Sequence, residues 1–298
     1  MSLKNTYGSK KGNYMLKTRL KSWGLFLVCV LLTLICLLPI YMLILFATKS
    51  NMQINTTDLV KMFTPGDNLG GNIHQLFNNS RYEQFKIFYG YRNSAAITIG
   101  AMFLTVFFGA LTAYGIHIYD FKFKEIAFTA ILVVMMVPAQ VMGGGLLDML
   151  LNWGMVNTWI PLIIPAMAPP AVVFFMRSYM KSSFPGEIVE AARIDGSSEF
   201  GTFIRIALPM MKPAIAVQAI FAFIAKWNDL YTPNMLLFKN SYKIKTLPQM
   251  VSGLTGGTQP DWGVINLGIS MSILPIIIAY VFLSRFIIAG VALGGVKE

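Results

Sequence analysis

From residue 23 to residue 48 the chain carries no charged side chain, and five more predominantly apolar runs follow at residues 93–116, 126–151, 156–176, 213–231 and 264–288. A run of about 20 apolar residues coiled as a helix crosses the hydrocarbon core of a bilayer. Inside that core every backbone N–H and C=O needs an internal partner, which leaves helices as the natural solution for such runs. The reading is therefore an all-α membrane protein with six transmembrane helices. Composition agrees: 55% of residues are hydrophobic and 12% are charged, where soluble chains carry about 25% charged residues. A soluble globular protein is excluded.

The 24 Lys and Arg outnumber the 13 Asp and Glu, for a net charge of +11. In a soluble chain that excess points to nucleic acid. Here the basic residues gather at the ends of the runs, as topology signals and anionic-lipid contacts do, so no nucleic-acid partner is expected. The tail before the first run holds Lys4, Lys10, Lys11, Lys17, Arg19 and Lys21 and no acid, which places it in the cytoplasm by the positive-inside rule. Six spans then return the C-terminus to the same side. Cys29 and Cys36 lie on one face of the first run as packing residues, and His74 and His117 have no companion ligands nearby. No disulfide framework or metal site is expected.

The organisation that follows is a cytoplasmic tail (1–22), a first span (23–48), an external loop (49–92), a core region (93–288) and a cytoplasmic tail (289–298). The core region contains a cytoplasmic loop (182–212) and an external loop (232–263). Two spans hold helix breakers: Pro138 and Gly143-Gly144-Gly145 in the third, and Pro161, Pro165, Pro169 and Pro170 in the fourth. Such breaks survive at membrane depth where protein or a wet cavity satisfies the freed backbone. These spans are expected to face protein or a pathway more than lipid. Glycines in residues 253–262 and the Pro260-Asp261 turn make the second external loop a flexible, reaching one.

The cytoplasmic loop is the most informative segment. Pro185 fits the first position of a helix, and Glu187 then lies in its first turn, where the helix dipole favours a carboxylate. Gly196 closes that helix, because the left-handed closing residue is cheapest as glycine. Ser197 or Ser198 caps a second short helix holding Phe200, Phe203, Ile204 and Ile206, ahead of Pro209. Two short helices meeting at a bend present apolar side chains with Glu190, Arg193, Asp195 and Arg205, a shape that fits a protein groove. Amphipathicity alone also fits an elbow resting on lipid headgroups.

The spacing favours the groove. Glu190-Ala191-Ala192, three residues, Gly196, nine residues, Ile206, one residue, Leu208-Pro209 matches the EAA motif of ABC importer permeases. Val137-Pro138-Ala139-Gln140, Asn157-Thr158-Trp159, the stretch from Phe223 to Asp229, Thr246-Leu247-Pro248, Leu274-Pro275 and the ending Ala292-Leu293-Gly294-Gly295-Val296-Lys297 extend the likeness over roughly residues 20–298. The chain thus resembles the permeases of carbohydrate ABC importers, the class of the smaller permease of the maltose transporter.

The resemblance implies a type I ABC importer permease fold and a function without covalent chemistry: import of a sugar or oligosaccharide by alternating access. It implies a second homologous permease completing a heterodimeric pore, two cytoplasmic P-loop ATPase subunits and an extracellular sugar-binding protein, in a bacterial cell membrane. ATP and Mg would be bound by the ATPase, since this chain has no Gly-x4-Gly-Lys-[Ser/Thr] loop and needs no cofactor of its own. The coupling residues would be Glu187, Glu190, Ala191, Ala192, Arg193, Asp195, Gly196, Ile206, Leu208 and Pro209. Gly253, Gly256, Gly257, Gln259 and Trp262 would meet the binding protein.

Sugars are held by aromatic faces and by amide or carboxylate hydrogen bonds. Trp227, Asn228, Asp229 and Tyr231, near the outer end of the fifth run, have that chemistry, and Gln140 and Gly143 are candidates to line the path. Trp and Tyr also belt the interface of any membrane protein. An importer for another solute, such as a glycerol phosphate ester, would be expected to carry more basic residues inside its spans. An unrelated polytopic protein is the remaining alternative.

Overall fold

The computed structural model describes residues 3–55, 58–256 and 259–295, and all its regular elements are helical. Its contacts form two units, Met1–His74 with Asp261–Ser270, and Gln75–Pro260 with Met271–Glu298.

The expected six long spans are not what the described residues form. Four helices are long and apolar enough to cross a membrane: Lys21–Ala47, Ser80–Ile118, Ile160–Ser183 and Trp262–Phe282. A fifth appears only if Glu199–Met210 and Lys212–Trp227, bent by 80°, count as one span. The third run accounts for the main difference. It divides into Lys124–Met135 and Ala139–Asn152, with Pro138 in an extended conformation between them (ψ 127°). Proline supplies no N–H and disfavours helical backbone in the residue before it, so the helix stops at that point. On this chain the broken run is largely exposed, with Met136 81% and Val141 74% accessible. The fourth run packs more closely on its own chain: Pro161, Leu162, Ala166, Val172 and Val173 are buried. Its break sits at Ala168, which adopts φ +47° ahead of the Pro169-Pro170 pair.

The larger unit is organised around Ile87–Ile118, which packs against Pro170–Ser183 and Lys212–Trp227. Ser94, Thr98, Ala101, Thr105, Gly109 and Ala113 recur every three or four residues and are all buried. They form a stripe of small side chains along one face. Small residues let membrane helices approach closely. A Cβ on Gly109 would stand 2.7 Å from Val172 Cγ1, and Thr105 Oγ1 donates to Ala166 O across 2.8 Å. Toward the other end Ala110, Ala113, Tyr114, Met176, Met180, Phe184, Val189, Phe203, Ala207 and Met211 form one buried cluster. That cluster carries the loop at residues 182–212.

At the opposite end of Ile87–Ile118, polar side chains hold the segment that follows the fifth run. Asn93 Nδ2 donates to Tyr242 O (3.1 Å) and Lys245 O (2.8 Å), and Ser94 Oγ accepts from Leu247 N (2.8 Å).

In the smaller unit, residues 49–74 form short helices, Asn51–Ile54, Leu59–Phe63 and the start of Leu69–Asn78. Lys49 is 2% exposed, and its Nζ donates to Lys61 O (2.7 Å) and Met62 O (2.8 Å), near the C-terminus of Leu59–Phe63. A cation there satisfies carbonyls that the helix leaves unpaired. Lys49→Met is expected to cost this unit about 1–3 kcal/mol, because the carbonyls of Lys61 and Met62 lose a charged donor. Faster amide exchange across residues 59–67 is the measurement that checks it. Burial lowers the Lys49 pKa from the ordinary 10.5. The unfolded segment therefore binds the proton more tightly, and local stability rises with pH from the lowered pKa up to 10.5.

Candidate functional site

The loop at residues 182–212 is built by local rules. Its helix runs Glu187–Ile194, with Gly186 as N-cap, so Pro185 precedes the helix rather than opening it. Gly196 has φ +75°. Gly196 N donates to Arg193 O (3.0 Å) and Ser197 N to Ala192 O (2.9 Å), the paired bonds of a Schellman closure. Ser198 is the residue that caps the next turn, accepting from Gly201 N at 3.1 Å. Glu199–Thr202 then passes into a π-helical turn, Phe203–Ala207, and Leu208–Met210 leads to the bend at Met211.

The two faces of this loop differ. Val189, Phe203 and Ala207 are buried in the cluster beneath it and Ala192 is buried as well, with Phe203 against the rings of Tyr114 (5.3 Å) and Phe107 (5.9 Å). Glu187, Glu190, Ala191, Arg193, Asp195 and Gly196 are exposed, as is Pro209, while Ile206 and Leu208 are half-buried. Of the two alanines only Ala191 faces outward. Ile194, 87% exposed, forms the apolar tip.

Three side chains brace the bend. Arg193 Nε donates to Glu199 Oε1 (2.7 Å) and its Nη2 to Oε2 (3.2 Å), and Tyr119 Oη donates to the same Oε2 (2.6 Å). The bonds from Arg193 and then Tyr119 lower the Glu199 pKa, and the bond to Glu199 raises that of Arg193. Burial, followed by the Glu199 hydrogen bond, pushes the Tyr119 phenol up to about 12. Sequence reasoning singled out neither Tyr119 nor Glu199, which meet across 80 positions of chain.

The path candidates are only partly brought together. Trp227 is 3% exposed, stacks on Phe223 (5.6 Å, 15°) and donates from Nε1 to Ser272 O (3.3 Å). With Asn228, Leu230, Pro248, Val251, Ser252 and Ser272 it lines a cavity of about 260 Å³. Asp229 Oδ1 accepts from Thr232 N (3.0 Å), and its Oδ2 lies 3.7 Å from Lys226 Nζ. Tyr231 is exposed and reaches Gly143, where an added Cβ would stand 2.9 Å from the phenol oxygen. The side chain of Gln140 lies outside the described residues.

The segment at residues 232–263, expected to be flexible, is tethered by side-chain bonds among its described residues. Arg81 Nη2 donates to Gln259 O (2.7 Å) and Gly256 O (3.3 Å). Gly253 ends the helix Leu247–Gly253, and Gly257 lies outside the described residues. Trp262 N donates to Asn51 Oδ1 (2.8 Å). A larger cavity, about 550 Å³, is bordered by Lys49, Gln53, Lys61 and Asp67. Its polar groups are already engaged, Lys49 with carbonyls and Asp67 with Gln53 Nε2 (2.8 Å).

Residues 105–293 match the family described as "Binding-protein-dependent transport system inner membrane component". The chain is 33% identical over 274 residues to the arabinooligosaccharides transport system permease protein AraQ of Bacillus subtilis, covering 92% of this chain and 95% of that protein. The AraQ protein of Halalkalibacterium halodurans is 30% identical over 276 residues, covering 93% and 96%. In structure the chain is similar to a chain of a bacterial ABC transporter involved in the import of the acidic polysaccharide alginate. The TM-score is 0.72 at 19% identity, over 90% of this chain and 97% of that one.

Proposed function

The chain belongs to the family of binding-protein-dependent transport system inner membrane components, and from that premise we propose that it carries an oligosaccharide inward, with Glu187–Gly196 as the coupling element. It is a multi-pass, non-catalytic permease subunit of an ABC importer, and hydrolysis of ATP belongs to a partner. Transport then follows from alternating access, with nucleotide in the ATPase biasing which side the path opens to.

The observation that carries the coupling role is the division of the loop into two faces. A buried face grips the helix cluster, while Glu190, Ala191, Ile194 and Asp195 face away from it. A force applied to the outer face reaches the spans through packed side chains. The full assembly is this chain with a second, related permease, two ATPase subunits and a binding protein that meets the tethered loop at Gly253, Gly256, Gly257, Gln259 and Trp262. The similarity to AraQ supports an arabinose-containing oligosaccharide as the solute class.

Mass spectrometry of what co-purifies with the tagged chain from its own membranes tests the assembly. A P-loop ATPase and a second permease are expected, and recovery of neither overturns the reading. Uptake of labelled arabinooligosaccharide by cells expressing the whole system tests the solute.

Tyr231 and the cavity beside Trp227 are the proposed contacts along the path. Because Trp227 is buried and already hydrogen-bonded, it shapes the wall while Tyr231 meets the sugar. Gly143→Val is expected to push the phenol aside and raise KM severalfold, with ATPase attachment unchanged. Uptake kinetics beside a pull-down of the ATPase check this.

A further inference from the structure

We propose that Glu199 and Tyr119 are positioning residues for coupling: they clamp Arg193 and so tie the exposed loop helix to the cytoplasmic end of Ile87–Ile118. This rests on the coupling role proposed above for Glu187–Gly196. Buried packing holds the loop from beneath through Val189 and Phe203, but it leaves the bend between the two short helices to Asp195, Gly196, Ser197 and Ser198. The carboxylate of Glu199, just past that bend, closes it from the side.

The geometry is specific. Both Glu199 oxygens accept from Arg193, at 2.7 and 3.2 Å, in the forked arrangement that fixes a guanidinium in one orientation. The Tyr119 hydroxyl donates to Oε2 at 2.6 Å, and its ring lies 5.9 Å from the guanidinium carbon of Arg193. Tyr119 directly follows Ile118, the last residue of its helix, and its ring is 6.2 Å from that of Tyr114, a fully buried member of the cluster. One carboxylate therefore joins the loop helix, the turn after the bend and a long helix that packs against two others. Arg193 is turned toward its own chain, and Glu190, Asp195 and Ile194 are left to face a partner. A loop that rotated freely at Gly196 would absorb a partner's motion, whereas a clamped loop passes it to Ile87–Ile118.

The test compares Glu199→Gln and Tyr119→Phe with the wild-type chain in two readouts on the complex purified from native membranes. Hydrogen exchange of residues 187–202 is expected to rise about tenfold for Glu199→Gln, as expected where a charge-assisted fork is lost, and less for Tyr119→Phe. Amides inside Ile87–Ile118 should stay unchanged. The rate of ATP hydrolysis per complex is expected to fall severalfold while the ratio of ATPase to permease stays at the wild-type value, a separation that a residue holding only the fold would not give. The double variant Arg193→Glu with Glu199→Arg should restore slow exchange. Wild-type exchange in Glu199→Gln, or fast exchange with an unaltered hydrolysis rate, overturns the proposal, as does a double variant that stays loose. A wild-type preparation that brings down no ATPase overturns the coupling role itself before any variant is made, so the two failures are distinguishable.

Discussion

Glu190→Lys is expected to reduce solute uptake to background while the chain still inserts and accumulates in the membrane. Glu190 lies on the exposed face of Glu187–Ile194, and among the described residues no hydrogen bond or ion pair engages its carboxylate. Its replacement therefore breaks no side-chain bond of this chain and costs the helix only the first-turn dipole interaction, about 0.3–1 kcal/mol. On the proposed coupling role, the carboxylate meets a cation of the ATPase, and a lysine sets two like charges against each other in a contact that excludes water. Uptake by whole cells, with a blot of the membrane fraction, separates the two effects. Wild-type uptake in the variant would end the coupling assignment. Gly196→Asp acts on the same contact by another route. The position has φ +75° with open space around it, so a side chain there strains the backbone by about 1–2 kcal/mol and brings a second negative charge beside Asp195.

Phe203→Ala should have the largest effect on stability. Phe203 is 1% exposed and packs among Tyr114, Phe107 and Phe200. Truncating a buried phenylalanine costs about 3–5 kcal/mol through lost transfer energy and the remaining cavity. It sits in the π-helical turn Phe203–Ala207, where the loop joins its cluster, so loosening should begin at the loop. A fall in the midpoint of thermal unfolding in detergent, with early proteolysis near residues 187–205, is the expected result. Phe203→Leu should retain most of the stability, since volume-conserving apolar swaps cost less.

Much of the loop was legible in order of sequence because its determinants are local. A helix closed by glycine, a serine cap and a carboxylate in a first turn each need only a few neighbouring residues, and Gly196, Ser198 and Glu187 fill those roles in the structure. The span count was less legible. Hydropathy averages over a window and registers residues 126–151 as one apolar run, while helix length is a property of backbone hydrogen bonding. A single Pro138 ends one helix and starts another. The fifth run likewise looked continuous to Tyr231, but its helix, Lys212–Trp227, stops short of that residue.

What the sequence by itself determined was a membrane-bound, helical chain with one exposed loop of defined spacing, because apolar content and short-range caps act without reference to the rest of the fold. Only the tertiary structure decided which side chains of that loop face outward, since Ala191 and Ala192 are identical residues of which the first is exposed and the second buried. It also decided that Trp227 is a wall rather than a free stacking face, and that Arg81 tethers an external loop 178 positions away. Tyr119 and Glu199 illustrate the general cause. Neither carries a local signal, and their contact exists because packing of Ile87–Ile118 against its neighbours brings two distant turns together.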